Sequence, residues 1–258
     1  MQFQVNKWCG KISFNRYLTG ANFLMFTLRR NKRRNFFSRW LLHLIVIALI
    51  LSLLPVLVLR WLQPPTTSFM IQAKIGTLGK SAPCQRLNHH WVPFERISHN
   101  AAMSVIASED QLFLQHWGFD FSAIGEVLEG GENRGASTIT QQVAKNLFLW
   151  SGRSWVRKGL EAYLTVWIEL LWDKQRIMEV YLNTAQFGPC TFGVGAATKQ
   201  YFGKTASLLR LDESALLATV LPNPYRMNPS YPSDYMIDRA MWIESQVAQL
   251  GGTAYLEW

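Results

Sequence analysis

The chain has 258 residues, of which 49% are hydrophobic, enough for one well-packed domain of ordinary size with some length left for attachments. Its formal net charge of +9 lies in the N-terminal part, because residues 1–60 hold ten Lys and Arg side chains and the first acidic residue is Glu95. The remaining residues hold sixteen basic and seventeen acidic side chains, which argues against a nucleic-acid-binding domain, and we expect no nucleic-acid partner.

A run of nineteen uncharged residues, 41–59, lies between Trp40 and Trp61. As a helix it would be roughly 28 Å long, close to the hydrocarbon thickness of a bilayer. A buried core helix of this length would normally keep a polar face. A cleaved signal peptide would have a shorter basic leader and a small-x-small cleavage site, whereas Gln63-Pro64-Pro65-Thr66 follows this run. We therefore predict a single membrane-spanning anchor over residues 40–61.

The basic residues before the anchor determine its predicted orientation. By the positive-inside rule, the basic arm 1–39 lies in the cytoplasm and everything after Trp61 lies outside it. The three cysteines, Cys9, Cys84 and Cys190, are too few for a disulfide framework, and only the last two share a compartment in this topology. An oxidising compartment would allow a bridge between them, and the sequence leaves both states open.

Beyond the anchor, residues 62–91 mix Pro, Thr, Gly and Ser and are interpreted as a linker or short strand. A helical period begins near Ile97, with Asn100 as the expected N-cap, and a glycine-rich break follows at 130–135. Strand-like alternation is scarce, which predicts a mainly α-helical domain over residues 92–258. The other predicted helices are Thr138–Leu149, Trp155–Trp172, Lys174–Asn183, Gly193–Phe202 and Glu213–Val220.

The pair Glu109-Asp110 begins the first segment that carries candidate catalytic groups. If the helix continues, Glu109, Phe113 and His116 fall on one face, which places a carboxylate beside an aromatic wall. Such a wall raises the pKa of a carboxylate and suits it to act as a base. For this segment taken alone, the alternative is an acid pair that only favours the helix dipole.

The second segment, residues 134–146, passes from small residues through hydroxyls into a predicted helix that carries Gln142 and Lys145 three positions apart. A glycine-rich turn into a helix N-terminus can hold an anion, and the lysine adds a positive charge one turn later. The lysine spacing does not match a Walker phosphate loop. A capped helix with a solvated polar face is the alternative.

The third segment places Arg157 and Lys158 one helical turn before Glu161. Two cations beside a carboxylate suit a diphosphate, with or without a bridging divalent cation. Taken alone, the segment would equally fit an ordinary surface salt bridge between Arg157 and Glu161.

In this order and spacing, the three segments resemble the family-51 peptidoglycan glycosyltransferases, lysozyme-like enzymes that occur alone or fused to penicillin-binding transpeptidases. The likeness covers roughly residues 92–230, and the ordered blocks together are far more specific than any one of them. Since no transpeptidase-sized region follows Trp258, the chain resembles the monofunctional biosynthetic form. Three further blocks continue the likeness, at 174–183, 196–204 and 213–224.

The resemblance implies a lysozyme-like helical fold and the polymerisation of lipid II into glycan strands. It gives Glu109 the role of general base, and Glu161 the role of orienting the diphosphate-binding cations or helping to place a divalent ion. No cofactor is obligatory in this scheme, although the diphosphate could carry Mg²⁺ or Mn²⁺. The implied substrate-binding residues are Asp110, Phe113, His116, Thr138, Gln142, Lys145, Asn146, Arg157 and Lys158.

The same resemblance implies partners and a location. The substrates are lipid II and the growing glycan strand, both used at the membrane, and proteins of cell division or wall synthesis are further candidate partners. The expected location is the bacterial inner membrane, with a single span and a periplasmic catalytic domain.

Two departures from the family pattern concern one loop. Residues 189–193 read Pro-Cys-Thr-Phe-Gly, where relatives usually keep a glycine before the aromatic-glycine pair, and Gly195 stands where an acid is common. Two rival functions are a glycan-cleaving enzyme of the same architecture, with Glu109 as its acid, and a non-catalytic membrane scaffold in cell division. The diphosphate-binding cluster argues against the first rival, and the intact carboxylates argue against the second.

Overall fold

The computed structural model describes residues 19–78, 82–128 and 137–256. The first part of the basic arm and the predicted glycine-rich break at 130–135 lie outside the described residues. The chain divides into two compact units, Met1–Leu53 and Leu54–Trp258.

The first unit contains most of helix α1, Thr19–Val58, which ends within the second unit. Its segment Ser38–Val58 is 21 residues long and has a mean hydropathy of 2.9, and only 6% of its most apolar part is buried. An apolar helix exposed along its length is unlike the core helix of a soluble domain. In the described part of the chain, this is the one helix long and apolar enough to cross a membrane, and it suits a membrane anchor.

The second unit is mainly helical, with one small sheet, which confirms the predicted fold class. Three short 3₁₀ turns, Phe94–Arg96, Ala206–Leu208 and Gly252–Tyr255, complete it. Its helices and strands are α2 (Ser68–Ile75), β1 (Asn88–His89), α3 (His99–Glu109), α4 (Phe121–Leu128), α5 (Ile139–Phe148), α6 (Trp155–Leu171), α7 (Lys174–Thr184), β2 (Gln186–Gly188), β3 (Thr191–Phe192), α8 (Val194–Phe202), α9 (Leu211–Ala218) and α10 (Asp234–Gln249).

Two groups of packed helices form the core of this unit. Helix α3 packs against α9 and α10, while α5 packs against α6 and α7. Met103 and Ile106 on α3, Ile168 on α6 and Ile243 on α10 are fully buried in one continuous cluster. Full burial of such a side chain stabilises the fold by about 1.5–3 kcal/mol, so each of these helices contributes to the stability of the core.

The predicted helices of the second half of the chain begin close to where the structure has them. Thr138 accepts a hydrogen bond from the backbone of Gln141, and the Gln141 side chain accepts one from the backbone of Thr138, which forms a capping box at the start of α5. Ser154 and Asp173 cap α6 and α7 without a capping box, through one side-chain acceptor each. These polar residues stop each helix from extending towards its N-terminus.

Two predictions about α3 are wrong. The N-cap is Ser98, whose hydroxyl accepts a hydrogen bond from the backbone N–H of Asn100, so Asn100 lies inside the helix. The helix ends at Glu109, because Asp110 adopts a non-helical backbone conformation with φ −162° and ψ 78°. The helical face that the sequence predicted beyond Glu109 is therefore not formed.

The described residues of the region 62–91, interpreted from the sequence as a linker or short strand, include the short strand β1 and also helix α2, which the sequence did not predict. Helix α2 packs against α5, and its Gln72 makes two contacts with the segment after α5. Gln72 Nε2 donates to Leu149 O over 3.1 Å, and Gln72 Oε1 accepts from Ser151 N over 2.7 Å. A buried glutamine that satisfies both a donor and an acceptor of the backbone fixes this segment in place.

The small sheet ties the same region to the hairpin after α7. Its strand order is β1-β3-β2, with β1 parallel and β2 antiparallel to β3. Next to the sheet, Cys84 and Cys190 form a disulfide with Cα atoms 5.8 Å apart. The disulfide answers the question that the sequence left open, and it crosslinks residues that are 106 positions apart in the chain.

The structure explains why position 195 holds a glycine. A Cβ atom at this position would lie 2.7 Å from the carbonyl oxygen of His90 and 2.5 Å from the Val92 side chain. Since the oxygen belongs to the backbone, it cannot simply move aside, and an acidic side chain would not fit. The absence of a side chain at Gly195 allows residues 90–92, which follow β1, to pack closely against this position.

Candidate active site

Glu109 lies at the C-terminal end of α3, with its carboxylate partly buried. Its Oε2 accepts a hydrogen bond of 2.8 Å from Gln142 Nε2, and Gln142 Oε1 accepts one of 3.2 Å from the Tyr181 hydroxyl. Because the tyrosine donates, the amide must turn its NH₂ group to Glu109. No described residue hydrogen-bonds Oε1 of Glu109, so this oxygen is available to a substrate.

The environment of Glu109 changes its proton affinity. Burial raises the pKa of Glu109 above its usual value, and the nearby charge of Asp110 acts in the same direction. The hydrogen bond from Gln142 and the charges of Lys145 and Arg239 lower the pKa, but less than burial raises it. A carboxylate with a raised pKa is a more effective general base near neutral pH. The predicted desolvation is present, although it does not come from a shared helical face.

Asp110 explains why α3 stops at Glu109. Its carboxylate is buried, and Oδ1 lies 2.8 Å from His116 Nε2 while Oδ2 accepts a hydrogen bond of 3.0 Å from Ile139 N. A carboxylate at the N-terminus of α5 satisfies a free N–H group and interacts favourably with the helix dipole. These contacts hold residues 110–118, which we call the base loop, against α5.

Thr138 and Phe113 also hold the base loop. Thr138 donates a hydrogen bond of 2.7 Å to the carbonyl of Gly118. The Phe113 side chain is 0% exposed, and Lys174 Nζ lies 4.6 Å from the centre of its ring and donates to the carbonyl of His116 over 2.8 Å. The structure thus places Phe113 in the core and Thr138 at a helix cap, with neither side chain open to a ligand.

A cavity of about 80 Å³ lies beside α5 and α6, close to the base. It brings together five of the residues that the sequence predicted for the site, which came from two separate segments. Three of those five are cationic, so we call it the cationic cavity. Its lining residues are Ser137, Gln141, Gln142, Lys145, Arg157, Lys158 and Glu161.

Glu161 organises the cations of the cavity. It is 2% exposed and lies 2.6 Å from Arg157 Nη1, while its other oxygen pairs with Lys158 Nζ. Lys158 Nζ also donates to Ser137 Oγ over 3.3 Å. The Arg157 Nε atom is buried and has no hydrogen-bond partner among the described residues. Glu161 fixes the two cations yet leaves donor capacity unused, as expected of a site that binds an anion.

Lys145 adds a third positive charge. Burial lowers its pKa, with the charges of Arg157 and Lys158 acting in the same direction and those of Glu161 and Glu109 opposing them. Among the described residues, no carboxylate lies within ion-pair distance of its Nζ atom. A buried ammonium without a paired anion has a strong preference for an incoming negative group.

Two further predicted residues, Asn146 and His116, do not line the cavity. Asn146 is buried on α5 next to Lys145, and His116 serves the base loop through Asp110. Their predicted roles in substrate binding stay predictions. Sequence reasoning did not assign Tyr181 to the site. Its signal was available, because Tyr181 belongs to a block that matches the family.

The cavity does not fit a resident metal ion. Both carboxylate oxygens of Glu161 are already paired with cations, and three positive side chains surround it. Within residues 19–78, 82–128 and 137–256, no group of three or more His, Cys, Asp and Glu side chains could hold a metal. The donor set suits an anion with several oxygens, such as a diphosphate.

Comparison with known proteins places these features in a family. A family model described as Transglycosylase matches residues 75–248, which include the base, the cationic cavity and α7. The chain belongs to the transglycosylase family. It is therefore an enzyme that transfers glycosyl groups, and the lysozyme-like helical fold expected from the resemblance is confirmed.

Similar proteins cover most of the chain. A biosynthetic peptidoglycan transglycosylase of Pseudomonas entomophila is 52% identical over 209 residues, which are 80% of this chain and 88% of that protein. Proteins of the same name from Ectopseudomonas mendocina and Stutzerimonas stutzeri are 49% and 50% identical over 85% of this chain, and over 92% and 90% of their own lengths. The match thus extends over the site and over nearly the whole of each relative.

Proposed function

We propose that this transglycosylase polymerises lipid II into linear glycan strands, with Glu109 as the general base and release of polyprenyl diphosphate. The observation that carries the proposal is a single arrangement. A partly buried carboxylate with a raised pKa and one unbonded oxygen lies across Gln142 from a cavity with three cations and one carboxylate. Proton abstraction and diphosphate binding can therefore occur side by side.

In the proposed reaction, Glu109 takes the proton from the 4-hydroxyl of the acceptor's N-acetylglucosamine. That oxygen forms a bond to the anomeric carbon of the growing strand's N-acetylmuramic acid, and the bond between this carbon and the diphosphate breaks with inversion. The leaving diphosphate needs no proton, because Lys145, Arg157 and Lys158 stabilise its charge. Glu161 holds Arg157 and Lys158 in place for this role.

The ion pairs of the cavity determine which groups could bind a divalent cation. Mg²⁺ or Mn²⁺ would find its ligands on the diphosphate itself, since Glu161 has no unpaired oxygen to offer. The proposed steps use no metal, and the side chains supply the charge that holds the leaving group. A glycan-cleaving enzyme would have little use for such a cluster of cations, so polymerisation is the better explanation of the cavity.

The proposal includes an orientation. The positive-inside rule puts the basic arm in the cytoplasm and the domain in the periplasm of a bacterial inner membrane. The Cys84–Cys190 disulfide supports this placement, because such bridges persist mainly in oxidising compartments. Proteins of cell division or wall synthesis stay candidate partners. A reporter active only in the periplasm, fused after Trp258, should be active, and activity of a cytoplasm-only reporter would contradict the orientation.

The experiment that tests the activity uses the purified full chain and lipid II in detergent micelles. We expect glycan polymer that a muramidase degrades to disaccharide units, together with released polyprenyl diphosphate. Unchanged lipid II would contradict the proposal. Shortening of added glycan strands, with no polymer formed, would favour the cleaving enzyme instead.

A further inference from the structure

The C-terminal end of α1 is hydrogen-bonded to side chains of the folded domain. The last carbonyls of a helix have no partner within the helix and need donors from elsewhere. Backbone N–H groups of the following turn bond some of them. Val56 O, in the last turn, accepts a hydrogen bond of 2.8 Å from Trp172 Nε1, and Leu59 O, just after the helix, accepts one from Arg176. Residues from Leu54 onward belong to the same compact unit as these donors.

Arg176 makes most of these contacts. Its Nη2 atom donates to Leu59 O over 2.9 Å and to Leu62 O over 2.6 Å, and its Nε atom donates to Leu59 O over 3.3 Å. Its Nη1 atom donates to Glu179 over 2.5 Å, which holds the guanidinium in place. A cation at the C-terminus of a helix also interacts favourably with the helix dipole.

Aromatic and apolar contacts complete the attachment. The guanidinium carbon of Arg176 lies 5.5 Å from the centre of the Trp91 ring and 6.0 Å from that of Trp172. Val56 is 0% exposed and belongs to the main core cluster, whereas Leu57 is 40% exposed. One face of the last helical turn is therefore part of the core, and the opposite face is open. We call these contacts the anchor dock.

The helix that carries Arg176 also reaches the base. Near the start of α7, Lys174 Nζ donates to the carbonyl of His116 in the base loop. Two turns further, the Tyr181 hydroxyl donates to Gln142, which donates to Glu109. A single rigid helix thus contacts the end of the anchor at one point and the support of the base at two others.

We propose that Arg176 is a positioning residue that fixes the height of Glu109 above the membrane. The inference rests on the proposed function, because it concerns a substrate whose lipid tail stays in the bilayer while its sugar reacts. If the anchor leaves the bilayer at a fixed place on the domain, the base lies at a constant distance from the lipid surface. The sugar of a lipid II molecule anchored in the same membrane then lies at the height of Glu109, so the two groups are already positioned for reaction.

The test compares two substrate formats on the full chain. Arg176→Met keeps the length of the side chain and removes its donors, and Trp172→Phe removes one donor and keeps an aromatic ring. Arg210→Met is the matched control, since the Arg210 side chain is 70% exposed and, among the described residues, forms its ion pair with Asp212, two positions along the chain. Polymerisation is measured with lipid II in lipid vesicles and with a short-chain lipid II analogue in detergent.

We expect Arg176→Met to raise KM for lipid II in vesicles at least tenfold, and to keep kcat on the short-chain analogue within about twofold of wild type. Trp172→Phe should raise KM for lipid II in vesicles by a smaller factor and should also keep kcat on the analogue close to wild type. Arg210→Met should change neither value. Equal losses in the two formats would mean that Arg176 only stabilises the fold and would overturn the proposal. Unchanged KM in vesicles would overturn it as well.

A second measurement does not depend on activity. Hydrogen–deuterium exchange of the amides of residues 59–62, in vesicles, should accelerate in Arg176→Met and stay unchanged in Arg210→Met. Equal exchange in both variants would contradict the anchor dock whatever the activity. If the wild type made no polymer in either format, the proposed function would be wrong, and the exchange data would still decide whether Arg176 holds the anchor.

Discussion

Replacing Glu109 by glutamine separates the chemistry of the base from its place in the structure. The substitution keeps the volume of the side chain, and the new amide oxygen can still accept the hydrogen bond that Gln142 donates. Gln142 itself stays oriented by Tyr181. What disappears is the ability to take a proton, so the rate of the chemical step should change while the surroundings stay in place.

The expected loss of rate follows from the role. A positioned general base contributes ~10²–10⁴-fold, which corresponds to about 2.7–5.4 kcal/mol of activation free energy. Binding of lipid II should survive, because Lys145, Arg157 and Lys158 are unchanged and hold the diphosphate in the proposed complex. The signature of Glu109→Gln is therefore a kcat lower by at least a hundredfold, with the dissociation constant for lipid II nearly unchanged.

The raised pKa adds a prediction about stability with a definite sign. Between the ordinary pKa of 4.5 and its raised value, the folded state binds the Glu109 proton more strongly than the unfolded state does. The free energy of unfolding therefore falls as pH rises through this window, and the penalty is fully present above it. Glutamine has no charge to desolvate, so Glu109→Gln should unfold at the same temperature as wild type or higher at pH 7.5.

Three measurements on one preparation check this reasoning: polymer synthesis from lipid II, equilibrium binding of a fluorescent lipid II, and thermal unfolding. Glu95→Gln, at an exposed position, is the matched control and should behave as wild type. Near-normal polymer synthesis by Glu109→Gln would refute the assignment of the base. Loss of binding or a lower unfolding temperature together with the lost activity would show that Glu109 has a structural role instead.

Three further predictions follow from the structure. Glu161→Gln should lower kcat, since Arg157 and Lys158 lose the carboxylate that holds them in place, and an unchanged kcat relative to Glu95→Gln would contradict its role. Replacing Cys84 and Cys190 by serine should lower stability by up to about 4.7 kcal/mol, the chain-entropy value for a loop of roughly a hundred residues, measured by urea unfolding. Gly195→Ala should cost about 1–3 kcal/mol of stability, and wild-type stability would disprove the close approach.

The helices of the second half were predictable because local signals agree with packing. Their apolar positions recur at helical spacing, and a capping residue stands before three of them, with Thr138 before α5, Ser154 before α6 and Asp173 before α7. The cationic cavity was predictable for the same reason. Once α5 and α6 are helices, Lys145 lies on one of them and Arg157 and Glu161 lie on the other, and α5 packs against α6.

The end of α3 could not be predicted from local signals. The residues after Glu109 fit a helix by periodicity, but the Asp110 carboxylate bonds both His116 and the backbone of Ile139. The second partner is 29 positions away in the chain, so only the tertiary fold supplies it. A contact of this range overrides the local helical preference and converts the predicted helical face into the base loop.

The structure of the region before the domain could not be predicted for a similar reason. Its mixture of Pro, Thr, Gly and Ser is typical of a linker, and its order comes from partners far along the chain. Gln72 bonds the segment after α5, Cys84 bonds Cys190, and β1 pairs with β3. The nearest of these partners, Leu149, is 77 positions away from Gln72, and periodicity within a short window contains no information about such contacts.

Gln142 explains how one site can hold both a base and a cluster of cations. A cation in direct contact with Glu109 would lower the pKa of the carboxylate and weaken it as a base. The neutral amide of Gln142 occupies that position, donates to Glu109 and lines the cationic cavity, while Lys145 lies one turn further along α5. The carboxylate keeps its raised pKa, and the cations stay available to the leaving diphosphate. An uncharged donor between the two groups is therefore as necessary to the proposed reaction as the charges themselves.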